Sequence, residues 1–240
     1  MGKFYDRMAE DLKLRAYAAS TCENYLGCMR NFVAHYMRPP TELGEQEIRK
    51  YLLHLSEERK LGPSSLKTNV AAIKFFYNNS MGMPERVVKI PYPRIPKPLP
   101  DILSGTEVEE LLMAVKSIKH RAVLMTAYGA GLRVNEACSL KSSDIDSTRK
   151  VIHVRDGKRG RDRYVMLSQR LLEVLREYWK QTRPPKPWLF PGKDPKRPIS
   201  DTSVREALKK AATAVGIRKR VTPHTLRHCA DIRIMPNRCW

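Results

Sequence analysis

The sequence has few cysteines, and none of them are arranged as in a metal centre or a disulfide framework. The five cysteines are scattered and odd in number among 240 residues. Neither they nor the six histidines show the short spacings of a zinc site. We therefore expect free thiols in a reducing compartment and no metal ion.

Long apolar runs are also absent. No stretch has the length that a membrane-spanning helix needs, and residues 1–15 lack the apolar core of a signal peptide. These two absences predict a cytoplasmic protein that has no membrane partner.

Acidic residues are outnumbered by basic ones. The chain carries 45 Lys and Arg against 25 Asp and Glu, a formal net charge of +20. Such an excess favours a polyanionic partner, because basic side chains that neutralise phosphates release condensed counterions. Double-stranded DNA is the first candidate, which implies association with the nucleoid, and a ribosomal or membrane-surface role is the weaker alternative.

A proline-rich segment divides the sequence. Residues 90–101, "IPYPRIPKPLPD", carry five prolines, which are incompatible with a helix interior or a central strand. Such a run is extended and semi-rigid, as in a spacer. We predict an N-terminal domain over 1–90, a linker over 91–100 and a second domain over 101–240.

The sequence pattern of the first domain predicts a small helical bundle. Ser20 and Glu23 have the spacing of a capping box at a helix start. Apolar residues recur at helical spacing in four segments, which are 6–19, 20–36, 45–58 and 63–79.

The sequence pattern of the second domain predicts a mainly helical fold with a small antiparallel sheet. Residues 150–167 alternate apolar and polar on both sides of a glycine turn, which is typical of a β-hairpin. Helical patterns cover three further segments, which are 105–117, 170–181 and 202–216.

The predicted hairpin is strongly basic. Two interpretations fit: a solvated charged hairpin, or a finger placed against a sugar–phosphate backbone. In the second, the flexible ammonium of Lys158, beside Gly157, could reach a phosphate. The candidate DNA-binding residues of the hairpin, besides Lys158, are Arg155, Arg159, Arg161 and Arg163.

The segment "TPHTLRH", residues 222–228, begins a helix. Thr222 suits the N-cap and Pro223 the first helical position. His224 and Arg227 then share a face beside the backbone donors of the helix N-terminus, which favours an anion. Taken alone, this pair is also compatible with two ordinary surface side chains that have no role in binding.

Arg133 follows a glycine-rich turn and precedes Glu136 by three residues. The two could form an ordinary surface ion pair. Alternatively, Glu136 could hold the guanidinium in an orientation suited to bidentate contact with phosphate oxygens.

In this order and at these separations, "AYGAGLRVNEACSLKSSDID", "GKRGRDRYVML" and "TPHTLRH" resemble the tyrosine recombinase (phage integrase) family. Residues 20–78 resemble its helical, SAM-like core-binding domain, and "KPLPDILSGTEVEELL" resembles the entry to its catalytic domain. The resemblance implies site-specific DNA recombination through a 3′-phosphotyrosyl intermediate, without metal or cofactor. It also implies four catalytic residues, which are Arg133, Lys158, His224 and Arg227.

The last residues depart from the family pattern. The resemblance leads us to expect a histidine or tryptophan and then a nucleophilic tyrosine after Arg227, yet the last tyrosine in the sequence is Tyr178. "HCADIRIMPNRCW" suggests a deleted helix followed by a lost reading frame. On this hypothesis the chain is a C-terminally truncated member, binding DNA but deficient in cleavage, and Trp240 is not a replacement for the missing residue.

Two further expectations concern DNA. Lys67 and Lys74, on the last predicted helix of the first domain, are candidate DNA contacts, and a homotetramer on paired sites is expected from the resemblance. An integrase, a resolvase, an integron enzyme and a transposon recombinase all fit the pattern. The alternative is a non-enzymatic regulator, because residues 131–145 look like a helix-turn-helix.

Overall fold

The chain forms two compact units, Met1–Pro98 and Leu99–Trp240, in a computed structural model. The structure describes residues 2–96, 101–155 and 162–233, with only the backbone for 230–233.

The described residues of the first unit form four α-helices. Its last helix continues into a π-helical turn over Phe76–Ser80. The capping box expected at Ser20 is wrong, because the N-cap of α2 is Ala18, two residues earlier, and it makes no side-chain hydrogen bond. The helices are α1 (Lys3–Leu14), α2 (Ala19–Tyr36), α3 (Glu45–Glu57) and α4 (Pro63–Phe75).

Tyr77 is a buried residue of the core of the first unit, and it bonds to the loop between α2 and α3. This side chain is fully buried, and its hydroxyl donates to the carbonyl oxygen of Pro40 at 2.8 Å. Arg86 donates from Nη1 to the carbonyl oxygen of Leu43 at 2.7 Å. Because a buried polar group is costly without a partner, these bonds fix the loop between α2 and α3 against the π-helical turn and the 3-10 turn Pro84–Arg86 that follow α4.

The second unit combines six helices of the described residues with three short strands, which confirms the predicted mainly helical fold with a small antiparallel sheet. The helices are α5 (Gly105–Met113), α6 (Ile118–Gly129), α7 (Val134–Cys138), α8 (Gln169–Thr182), α9 (Asp201–Ala214) and α10 (Pro223–Arg233). The strands are β1 (Ile145–Asp146), β2 (Val151–Val154) and β3 (Arg163–Met166).

Helix α6 lies at the centre of the second unit and contacts α7, α8, α9 and α10. Its residues Val123 and Leu124 are fully buried, as is Leu226 of α10. Burying such aliphatic side chains contributes roughly 1.5–3 kcal/mol each. The backbone N–H of Leu103 also donates to Sγ of Cys229 at 3.3 Å, which ties α10 to the start of the unit.

The three strands form one antiparallel sheet in the order β1-β2-β3. His153 lies opposite Tyr164, as expected for the two arms of the predicted hairpin. The short β1 has no counterpart in the sequence prediction, because two residues are too few for an alternating pattern. Among the described residues, no helix is long and apolar enough to cross a membrane.

Candidate active site

Arg133 lies at the turn between α6 and α7. Gly131 takes φ 61° there, a conformation that glycine adopts without strain. Arg133 is the N-cap residue of α7, and its backbone N–H donates to Oε2 of Glu136 at 2.9 Å. Its Nη1 donates to Oε1 of the same carboxylate at 2.9 Å. The interpretation of Glu136 as the group that orients Arg133 therefore fits the geometry.

A second guanidinium binds the same carboxylate. Arg163 of β3 donates from Nη2 to Oε2 of Glu136 at 2.7 Å and from Nη1 to Oε1 at 3.2 Å. The Glu136 side chain is only 9% exposed. Burial raises its pKa, but the hydrogen bonds from Arg163 and Arg133 outweigh burial and bring the pKa to about 2. Glu136 is therefore a carboxylate anion at neutral pH.

Helix α10 presents His224 and Arg227. It begins as predicted, because Oγ1 of Thr222 accepts the backbone N–H of Thr225 at 3.2 Å. Leu226 turns into the core between them, and Arg227 is half-buried. Nη1 of Arg227 is buried and has no hydrogen-bond partner within the described part of the chain. A buried guanidinium nitrogen without a partner is unusual, and it indicates a site built for an anion.

His224 lies in the same positive environment. Its ring is open to solvent, yet partial desolvation lowers its pKa. Electrostatic interaction with His228, Arg205, Arg227 and Arg133 lowers it further. Arg133 and Arg227 are 94 positions apart in sequence, yet both act on the same imidazole. The structure thus brings three of the four predicted catalytic residues into one electropositive region.

The basic hairpin is described only at its base. Lys158, Arg159 and Arg161 lie outside the described residues. Arg155 donates from Nε to Oδ1 of Asp144 at 2.8 Å, and the Asp144 side chain is only 2% exposed. Both described arginines of the hairpin, Arg155 and Arg163, are thus paired with carboxylates.

The remaining DNA-binding candidates belong to α4 of the first unit. Lys67 is exposed there. Lys74 is half-buried, with Nζ 5.0 Å from the centre of the Tyr92 ring. This cation–π contact holds the ammonium at the start of the proline-rich segment.

The helix-turn-helix interpretation of residues 131–145 does not fit the structure. That segment holds only the five-residue helix α7, then a single 3-10 turn over Ser142–Asp144, and then β1. A recognition helix needs several turns to lie in a major groove. The segment instead positions Arg133 and Glu136.

Two features of the site have no signal in the sequence. One is Arg205 of α9, whose charge reaches His224 while its Nε pairs with Oδ2 of Asp201 at 3.1 Å. The other is the use of Arg163 as a partner of Glu136. No local pattern links α9 to α10 or β3 to α7, because both contacts depend on tertiary packing. Tyr178, the last tyrosine, is buried and donates to the carbonyl oxygen of Leu189.

Two family models match the chain. Residues 101–237 match the phage integrase family, and residues 4–84 match the N-terminal SAM-like domain of phage integrases. The first match alone covers more than half of the chain. The protein therefore belongs to the phage integrase family, the tyrosine recombinases.

Relatives and solved structures agree. A Sinorhizobium fredii protein provisionally named integrase/recombinase y4qK is 43% identical over 232 residues, covering 95% of this chain and 74% of its own length. Tyrosine recombinase XerA of Pyrococcus horikoshii is 32% identical over 227 residues, covering 93% of this chain and 76% of its own length. A lambda integrase dimer bound to a COC′ core site shares the fold, with TM-score 0.75, 19% identity and coverage of 95% and 86%.

Proposed function

We propose that the protein takes part in site-specific DNA recombination, with Arg133, His224 and Arg227 binding one backbone phosphate of duplex DNA on the nucleoid. Family membership supports the reaction class. The observation that carries the phosphate site is Nη1 of Arg227, which is buried without a hydrogen-bond partner among the described residues. Both Arg227 and Arg133 also lower the pKa of His224 electrostatically.

The donors suit a phosphate. Arg133 uses one side-chain nitrogen on Glu136, and its Nε and Nη2 make no hydrogen bond to any described residue. Arg227 offers Nη1, and the start of α10 adds a positive helix end. Two guanidiniums would thus meet the non-bridging oxygens, where negative charge develops as a phosphodiester is attacked.

The family resemblance completes the chemistry. In the reaction that this resemblance implies, the hydroxyl of a tyrosine, which this sequence does not offer after Arg227, attacks the phosphorus and forms a 3′-phosphotyrosyl bond. The bond to the 5′-oxygen breaks, and that oxygen would take a proton from Lys158 as it leaves. His224, kept largely neutral at pH 7 by its lowered pKa, can accept the proton of the nucleophile. Arg133 and Arg227 bind the non-bridging oxygens of the phosphate while these two proton transfers take place.

The first unit contributes a second DNA contact in this proposal. Lys67 is exposed on α4, and Lys74 lies about two turns further along the same helix. Arg155, Arg159 and Arg161 extend the contact along the hairpin. Another solved relative of the fold is a lambda integrase tetramer bound to a Holliday junction, with TM-score 0.74 and 18% identity. We propose the same tetrameric assembly on paired sites for this chain.

The test is DNA affinity measured by fluorescence anisotropy with a labelled duplex. Arg227→Ala should weaken binding about tenfold, because it removes a charge-assisted hydrogen bond to phosphate. Arg176→Ala removes an exposed arginine of α8 and serves as the matched control. Equal affinities of the two variants would overturn the proposed site.

A further inference from the structure

The Glu136 carboxylate is shared by two arginines, but each of them binds it differently. Arg163 uses both terminal nitrogens, one on each carboxylate oxygen. Arg133 uses a single terminal nitrogen, Nη1, together with its backbone N–H. Arg163 is thus the bidentate partner of Glu136, whereas Nε and Nη2 of Arg133 have no hydrogen-bond partner in the part of the chain that the structure describes.

The charges of this cluster follow from the same contacts. Glu136 stays anionic well below neutral pH, and it carries one negative charge against two guanidiniums. The bidentate pair with Arg163 neutralises that charge at the shorter distance, 2.7 Å. The cluster therefore keeps one net positive charge, and Arg133 is the member of the cluster whose charge lowers the pKa of His224.

We propose that Arg163 is a positioning residue: as the counter-ion of Glu136, it leaves the charge and the free donors of Arg133 available to a DNA phosphate. This inference rests on the proposed phosphate site. It differs from the interpretation of Arg163 as a direct DNA contact, because its two terminal nitrogens are already committed to Glu136.

The consequence of losing Arg163 is specific. Glu136, 9% exposed, would be left with Arg133 as its counter-ion. A partly buried carboxylate attracts its remaining partner strongly, so Arg133 would turn both terminal nitrogens to Glu136. The resulting neutral pair would attract a phosphate weakly. Arg163 thus acts on DNA through Arg133 alone.

A double-mutant cycle tests this dependence. Duplex affinity is measured for the parent, Arg133→Ala, Arg163→Met and the double variant. We expect each single substitution to weaken binding about tenfold, and the double variant to be no weaker than Arg133→Ala within about threefold. Losses that multiply to about a hundredfold would show that Arg163 contacts DNA itself, and no loss in Arg163→Met would also overturn the inference.

A second cycle removes the risk that an unpaired buried carboxylate unfolds the protein. Glu136→Gln eliminates the charge that Arg163 neutralises. When Arg163→Met is added to this variant, duplex affinity should stay unchanged within about twofold, because no anion remains to capture Arg133. A tenfold loss on adding Arg163→Met to Glu136→Gln would contradict the counter-ion role. Circular-dichroism melting confirms that each variant is folded.

One control variant and the outcome for Arg133→Ala separate this inference from the proposed function. Arg149→Ala removes an exposed arginine near β2 that pairs loosely with Asp146 at 3.8 Å, and screening should limit its effect to about twofold. If Arg133→Ala itself leaves affinity unchanged, the phosphate site is wrong. If Arg133→Ala weakens binding while Arg163→Met acts additively, only the positioning role of Arg163 is wrong.

Discussion

His224 and Arg227 lie three residues apart on α10, yet the imidazole is open to solvent while one guanidinium nitrogen of Arg227 is buried without a partner among the described residues. The pair therefore combines an imidazole that can titrate and is open to solvent with a half-buried guanidinium that stays charged. Desolvation comes first among the causes of the lowered pKa of the imidazole, followed by electrostatic interaction with His228 and with three arginines, and no negative group is among them.

The first prediction concerns this imidazole. A bound phosphate should offset the surrounding positive charges, so the pKa of His224 rises when duplex DNA binds. Proton uptake then favours binding, and affinity should increase as pH falls through the range around and below 6.5, the ordinary histidine value. The check is an NMR titration of the ring signals with and without duplex.

His120 provides the internal control for that titration. Its pKa is also lowered, first by burial and then by Lys119, but it lies at the start of α6 and outside the proposed site. Its signals should titrate identically in both samples. An unchanged His224 pKa would contradict phosphate binding next to the ring.

The second prediction concerns the start of α10. Thr222→Ala removes the cap of this helix and should cost about 1 kcal/mol of unfolding free energy. Because the first turn carries His224, duplex affinity should fall as well. Chemical denaturation gives the stability, and anisotropy gives the affinity.

Ser168→Ala is the matched control for this cap. Oγ of Ser168 accepts the N–H of Leu171 at 3.2 Å at the start of α8, which carries none of the proposed site residues. It should lose similar stability and keep its affinity. If both variants lose affinity equally, the effect of Thr222 is one of general stability.

The third prediction concerns Glu136 and acid. Its folded-state pKa, about 2, is lower than its ordinary value of 4.5, so the carboxylate stabilises the fold above the unfolded-state pKa. That contribution, about 3 kcal/mol by linkage, should be lost as pH falls from about 4.5 towards 2. The check is the difference in unfolding free energy between the parent and Glu136→Gln across this range. A difference that does not change with pH would contradict the paired carboxylate.

Much of the fold can be predicted from the sequence, for reasons that are visible locally. Thr222 and Pro223 mark a helix start by their own chemistry, and the alternation around Gly157 marks a hairpin. The expectation at Ser20 is wrong, since a capping spacing does not decide which residue the tertiary packing places at the N-cap. Strand β1 is too short to leave a pattern.

The site can be predicted only in part. The sequence predicts Arg133, His224 and Arg227 as site residues because their motifs occur in order along the chain. The pairing of Arg163 with Glu136 joins residues 27 positions apart, and Arg205 reaches His224 from another helix. Neither contact has a local sequence signal. The charge of the hairpin favours a face against DNA, but its described arginines are held by carboxylates.

The central claim is that Arg133 and Arg227 bind the same phosphate, and the salt dependence of binding tests it most directly. The slope of log affinity against log salt changes by about 0.9 for each phosphate that the protein no longer neutralises. Measured by anisotropy across a salt series, Arg133→Ala combined with Arg227→Ala should reduce the slope by about 0.9, because one phosphate is released. A reduction of about 1.8 would mean two separate phosphates and would contradict the claim.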